Sequence, residues 1–196
     1  MIPVVAKPQV EPIQWLGLHR QYLNDGEMEI ICALVRSTPA RSMLEIGCRD
    51  GRTARVILNN VLSLEKYVGV DVTPDYVPTL FHQRAEMVEF PGRLAVTDPR
   101  FELIVREKGS LDLSPQHFMA FDHGPFDAVF IDGDHSEPCV IHDSYLAREI
   151  VGSGGVIIYH DYTNKAVEVQ RALDRLLSEG WPLQHIEGTW LAYLRT

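Results

Sequence analysis

The apolar positions fall into two alternating rhythms. Ser42-Met43-Leu44-Glu45-Ile46 is a short, largely apolar run, ended by the turn residues Gly47-Cys48-Arg49-Asp50-Gly51. From Thr53 to Leu62, Ala54, Ile57, Leu58 and Val61 recur at helical spacing. Lys66 to Val70 is a second strand, stopping at Asp71. Phe101 to Val105 is a third and Phe126 to Ile131 a fourth. Ser136 and Pro138 open a helix to about Val151, which Gly152-Ser153-Gly154-Gly155 closes. Val156 to Tyr159 is a fifth strand. Asn164 is placed to cap a last helix carrying Val169, Leu173 and Leu176. Leu183–Ile186 and Trp190–Leu194 pair as a closing hairpin across Glu187-Gly188-Thr189. Before the first strand, Asn24 or Asp25 caps a helix to about Arg36, stopped by Pro39. Residues 1–24, with Pro3, Pro8 and Pro12, form an extended arm, and 25–196 a single domain.

Apolar strands alternating with amphipathic helices require a mostly parallel sheet covered on both faces. The expectation is an α/β, three-layer Rossmann-like fold with a mostly parallel seven-stranded sheet and a C-terminal antiparallel hairpin. Sheets of this kind bind ligands beyond the carboxyl ends of their strands. The residues directly after each strand are therefore the ones to inspect.

Composition narrows the function. A formal net charge of −9 repels phosphate backbones, which argues against nucleic acid. No apolar run is long enough to cross a bilayer, and the first residues lack a signal layout. Cys32, Cys48 and Cys139 fit neither a disulfide framework nor a zinc spacing. They read as buried, reduced thiols, and a cytoplasmic setting follows.

Glu45, Gly47, Cys48 and Gly51 surround the first strand-to-helix turn, and Asp71 ends the second strand. The glycines allow a tight turn and the approach of a ligand to bare backbone. An acid at the end of the second strand can accept hydrogen bonds from both ribose hydroxyls. The spacing is G-x-x-x-G, not the G-x-G-x-x-G of pyrophosphate-binding loops. Leu44 to Gly51 resembles the first motif of class I S-adenosylmethionine-dependent methyltransferases, and Val68-Gly69-Val70-Asp71 their second. The resemblance implies the glycine loop against the methionyl part of S-adenosylmethionine, Asp71 on the ribose and Ser110 on the adenine side.

The fourth and fifth strands should lie side by side, roughly 5 Å apart. Their ends then bring together Asp132, Asp134, His135, His160 and Asp161. Two uses of that cluster stand open. Asp132 and Asp161, with His160, could bind Mg²⁺ or Mn²⁺ and lower the pKa of a substrate hydroxyl. Alternatively His135 is a metal-free general base. The segments Phe130–Ser136 and Gly154–Tyr162 resemble the cephalosporin-hydroxylase-like and rhamnosyl O-methyltransferase-like branch, and the metal-dependent catechol O-methyltransferases. There the first acid and a pair after the next strand hold Mg²⁺. By position Asp132 corresponds to the first ligand, which also adjoins the cofactor, His160-Asp161 to the pair, and His135 to the base.

The expected activity is therefore O-methylation of a small-molecule hydroxyl. A non-catalytic binding module and a nucleotide-cofactor oxidoreductase of the same fold are the rivals. Tyr162 either stacks on a substrate or packs at the sheet edge, and Asp143 reads as a helix-surface carboxylate. His19, Arg20 and Tyr22 either line an acceptor pocket or sit in solvent. The closing hairpin offers an edge on which a second copy could pair.

Overall fold

Strands β2 (Ser42–Ile46), β3 (Lys66–Val72), β4 (Phe101–Arg106), β5 (Phe126–Ile131) and β6 (Val151–Tyr159) pair in parallel, because each link from β2 to β6 crosses over the sheet. The computed structural model describes residues 1–19, 22–120 and 124–196. Arg20 lies outside the described residues. The closing hairpin, β7 (Gln184–Ile186) and β8 (Ala192–Arg195), forms as expected, with β8 antiparallel to β6. The sheet has eight strands rather than seven. The additional one is β1, Val4–Val5, which pairs in parallel with His185–Ile186. The arm thus completes the sheet, and it covers the hairpin edge that the sequence left open for a second copy.

Alternation along the strands sends side chains to two cores. Leu44, Ile46, Val68 and Val70 pack toward α3 (Pro115–Ala120), α4 (Glu137–Ile150) and α5 (Val169–Ser178). Met43, Tyr67, Ala128 and Phe130 face α1 (Glu27–Arg36) and α2 (Arg52–Asn60). Three layers result. Cys32, Cys48 and Cys139 are buried and free, as expected. No helix among the described residues is long and apolar enough to cross a membrane.

The strand order is β1-β7-β8-β6-β5-β2-β3-β4. From β2 the chain first builds outward through β3 and β4, then returns to the other side of β2 with β5. The direction of winding reverses between β2 and β5, and the carboxyl ends of those strands flank the crevice where ligands bind.

Some element ends differ from expectation. Gly26, at φ 83°, precedes α1, not Asn24 or Asp25. The returning half of a capping box is still made there: the Glu27 carboxylate accepts the Asn24 N–H at 2.7 Å. Gly152 to Gly155 do not form a separate turn but belong to β6, where the register against β5 slips between Phe126 and Ala128. Glu168, not Asn164, precedes α5. The Asn164 amide is held instead by Asp161 Oδ1 at 2.7 Å.

Candidate active site

Where β2 and β5 end, the backbones come unusually close. Asp132 N–H donates to Ile46 O at 2.9 Å, and Gly47 follows at φ 88°. A Cβ at position 47 would lie 2.2 Å from the Asp132 carbonyl oxygen. Only glycine fits that turn. Beyond it opens a cavity of about 520 Å³, lined by Gly47, Asp71, Ser110, Asp132, His135, His160 and Asp161 among others. Strand ends and the 76–88 segment supply most of the wall.

Not every expected cofactor residue faces this cavity. Glu45 is 1% exposed and points into the α1/α2 side, where the Tyr67 hydroxyl donates to it at 2.9 Å. Burial, with repulsion from Asp132, Asp71 and Asp50, outweighs that bond and holds its carboxyl well above the usual range. It lies in the core, behind the wall. Cys48 is buried against Gly69. Gly51, at φ 80°, starts α2 and packs on the Gly92 backbone. These three shape the turn, while Gly47, Asp71, Ser110 and Asp132 line the space.

Asp71 sits at the rim with backbone N–H groups of Arg49 and Val72 on its two oxygens. Burial pushes its carboxyl up, and those bonds only partly offset the shift. Ser110 is 8% exposed, in the 3-10 turn Gly109–Asp112.

The reaction-side residues do converge. His135 Nε2 lies 3.3 Å from Asp132 Oδ1 and 3.6 Å from Asp161 Oδ2. His160 Nδ1 lies 3.4 Å and 3.0 Å from the same two oxygens. Its Nε2 faces Glu27 Oε2 at 3.1 Å. Burial disfavours charge on both imidazoles, yet the surrounding carboxylates prevail and raise both pKa values, His160 strongly. Burial likewise opposes charge on Asp132, but His160 and His135 lower its carboxyl to about 2. Asp134 also lines the cavity but stands apart from this cluster, held by Ser136 N–H, Thr79 N–H and the Tyr76 hydroxyl.

The compact donor group is Asp132, His135 and Asp161, with one ligand atom from each inside 4.8 Å of the others. His160 was expected there. Both its ring nitrogens already face carboxylates, because the ring is wedged between Glu27 and the Asp132–Asp161 pair.

Several surrounding residues were not foreseen. Glu27 is fully buried and collects Asn24 N–H, Asn24 Nδ2, Trp190 N–H and His160 Nε2. The sequence signal was there: Asn24-x-x-Glu27 has capping-box spacing. Gln83 braces the turn after β5, bonding Gly133 O and His135 N–H. Glu86 joins the wall; burial raises its carboxyl above the usual range, with His135 drawing it down and Asp132 and Asp161 pushing it up.

Tyr162 is 3% exposed and bonded to Asp174, so it packs rather than meeting a ligand. Asp143 is 1% exposed, a correction to its reading as a surface group. Val140, Asp143 and Ala147 share the inward stripe of α4. Tyr22 lines the cavity and stacks on the Arg49 guanidinium at 4.8 Å; His19 does not line it.

Residues 44–162 match a family model described as a methyltransferase domain. No curated protein matches the chain. Solved structures do. Cofactor-bound Rv0187 from MTB is 22% identical, with a TM-score of 0.58 over 90% of this chain and 82% of that one. The O-methyltransferase TomG from Streptomyces achromogenes, solved with SAM, is 17% identical, with a TM-score of 0.58 over 89% and 81%. The calicheamicin methyltransferase CalS11 is 18% identical, with a TM-score of 0.63 over 86% and 77%. At such identities the likeness is one of fold.

Proposed function

The chain belongs to the methyltransferase-domain family, and from that premise we propose that it moves a methyl group from S-adenosylmethionine to a hydroxyl oxygen of a small molecule. One observation carries the reading. The Gly47 turn and Asp71 open on the same cavity as the Asp132–His135–Asp161 cluster. Donor-binding and proton-accepting groups therefore share one space.

The residues suit the cofactor. Gly47 leaves backbone uncovered beside the cavity, and Asp71 offers carboxylate lone pairs at the rim. When bound, S-adenosylmethionine supplies a methyl carbon made electrophilic by its sulfonium. The chain must then orient the acceptor and remove one proton. His135 takes that proton from the hydroxyl at Nε2, where Asp132 Oδ1 and Asp161 Oδ2 stabilise the imidazolium. His160 and Glu27 keep those carboxylates in place. Nitrogen acceptors need less base assistance, so a site built this way suits oxygen.

The donor atoms also fit a divalent ion such as Mg²⁺ or Mn²⁺, which Asp132 and Asp161 would hold and which would lower the pKa of a hydroxyl beside it.

The test is His135→Ala, assayed with radiolabelled methyl donor against a panel of hydroxylated small molecules. Turnover should fall about 10²- to 10⁴-fold, while affinity for S-adenosylhomocysteine stays within about twofold, the change expected of a group that never touches the donor. Equal loss of both would make His135 a structural residue and defeat the proposed role.

A further inference from the structure

Most polar side chains on the cavity wall are already engaged within the protein. Tyr76 and Asp134 bond each other, at 2.9 Å. Gln83 uses both ends of its amide on the turn after β5. Asn164 donates to Asp161 and accepts from Ala166 N–H. Asn24 donates to Glu27.

Glu86 is different. It comes from the segment between β3 and β4, it is partly buried in the cavity wall, and its carboxylate has no hydrogen bond or ion pair among the described residues. A carboxylate held away from bulk water without a donor is unfavourable. Its own backbone is fixed, since Arg49 Nε donates to Glu86 O at 2.9 Å. Its carboxylate is thus offered from an anchored backbone, on the same cavity as His135.

Exposed apolar side chains neighbour it along the chain. Phe81, 77% exposed, opens the 3-10 turn Phe81–Glu86 that carries Glu86, and Val77, 62% exposed, precedes the cavity-lining Pro78. Neither lines the cavity itself, and the Arg84 guanidinium lies 5.0 Å over the Phe81 ring, but both leave apolar area that an apolar ligand would cover. The chain as a whole is acidic, at −9, which favours the approach of a cation.

Building on the methyl-transfer reading, we propose that Glu86 selects the acceptor, and that the acceptor is an apolar molecule bearing a protonated amine near its reacting hydroxyl. The ammonium would supply the donors that Glu86 lacks, in a charge-assisted hydrogen bond. The apolar body would cover Phe81 and Val77. Such a contact fixes which hydroxyl reaches His135, so Glu86 is a specificity residue and takes no part in proton transfer.

Matched probes test this. Wild-type protein and Glu86→Gln, both saturated with S-adenosylhomocysteine, would be titrated calorimetrically with dopamine against 4-ethylcatechol, and tyramine against 4-ethylphenol. The wild type should bind the amine of each pair at least about tenfold more tightly, the discrimination that one charge-assisted bond supplies. Glu86→Gln should erase that preference and leave affinity for S-adenosylhomocysteine within about twofold. The proposal is overturned if the preference survives in Glu86→Gln, if the neutral members bind as well as the amines, or if no probe binds at millimolar concentration. Loss of S-adenosylhomocysteine affinity in Glu86→Gln also overturns it, placing the carboxylate on the donor instead. Failure of the wild type to bind S-adenosylhomocysteine at all is a distinct result, which sinks the methyl-transfer reading and this inference with it.

Discussion

Replacing Glu27 by alanine should unfold much of the protein at ambient temperature. The carboxylate is 0% exposed and accepts from Asn24 N–H, Asn24 Nδ2, Trp190 N–H and His160 Nε2. Burial alone would push its carboxyl up, yet those bonds, His160 foremost, hold it below the usual range. It is therefore an anion in the core, partnered by the His160 imidazolium. Removing one member of a buried ion pair costs ~3–5 kcal/mol, and stranded donors add to the loss. Domains of this kind have only ~5–15 kcal/mol to lose. The loss is also spread widely, because this group ties α1 to the end of β6 through His160 and to the segment before β8 through Trp190. Urea denaturation followed by circular dichroism should show the midpoint of Glu27→Ala far below that of the wild type. Glu27→Gln keeps the shape and one acceptor oxygen, so it should fall between them. Equal midpoints for all three would mean that the network contributes nothing to stability.

Gly47→Ala should be damaging for a different reason. The residue sits at φ 88°, and a methyl there meets the Asp132 carbonyl oxygen at 2.2 Å and Gly133 Cα at 2.5 Å. Both obstacles are backbone, so neither can swing away. The left-handed conformation costs an alanine ~1–2 kcal/mol, and overpacking ~1–3 kcal/mol more. At ~2–4 °C per kcal/mol for a chain of this size, the melting temperature should fall by roughly 10 °C. The methyl also forces the end of β5 from the end of β2, carrying Asp132 with it, so affinity for S-adenosylhomocysteine should fall as well. Gly154→Ala is the control. Its φ is 78° but nothing lies within 4 Å of the added methyl. It should show the conformational cost alone and leave affinity untouched. If both variants melt together, the close approach at Gly47 is not what the site depends on.

Much of the architecture was visible in the pattern of residues, and the reason is local. Runs such as Phe126–Ile131 are apolar because both faces of the central sheet are covered. Gly47 and Asp71 stood out because strand ends are where this fold places ligands. Asp143 is buried although charged: residue type assigns it to solvent, while its periodicity with Val140 and Ala147 points inward. Glu45 matched a motif, but strand alternation sends it to the α1/α2 side, away from the cavity. Glu27 to His160 spans 133 residues and Glu27 to Trp190 spans 163. Nothing local to any one of the three announces such a contact. The arm pairs with β7 through backbone groups, and backbone pairing of a two-residue strand leaves almost no trace in side-chain pattern.

Isothermal calorimetry with S-adenosylhomocysteine bears most directly on the idea that the β2–β5 crevice is an adenosyl-sulfonium site. The wild-type chain should bind one equivalent, and Asp71→Asn, which removes the charge at the rim but keeps the shape, should bind about 10- to 100-fold more weakly. No heat with the wild type, or equal affinity in the two proteins, would contradict the account.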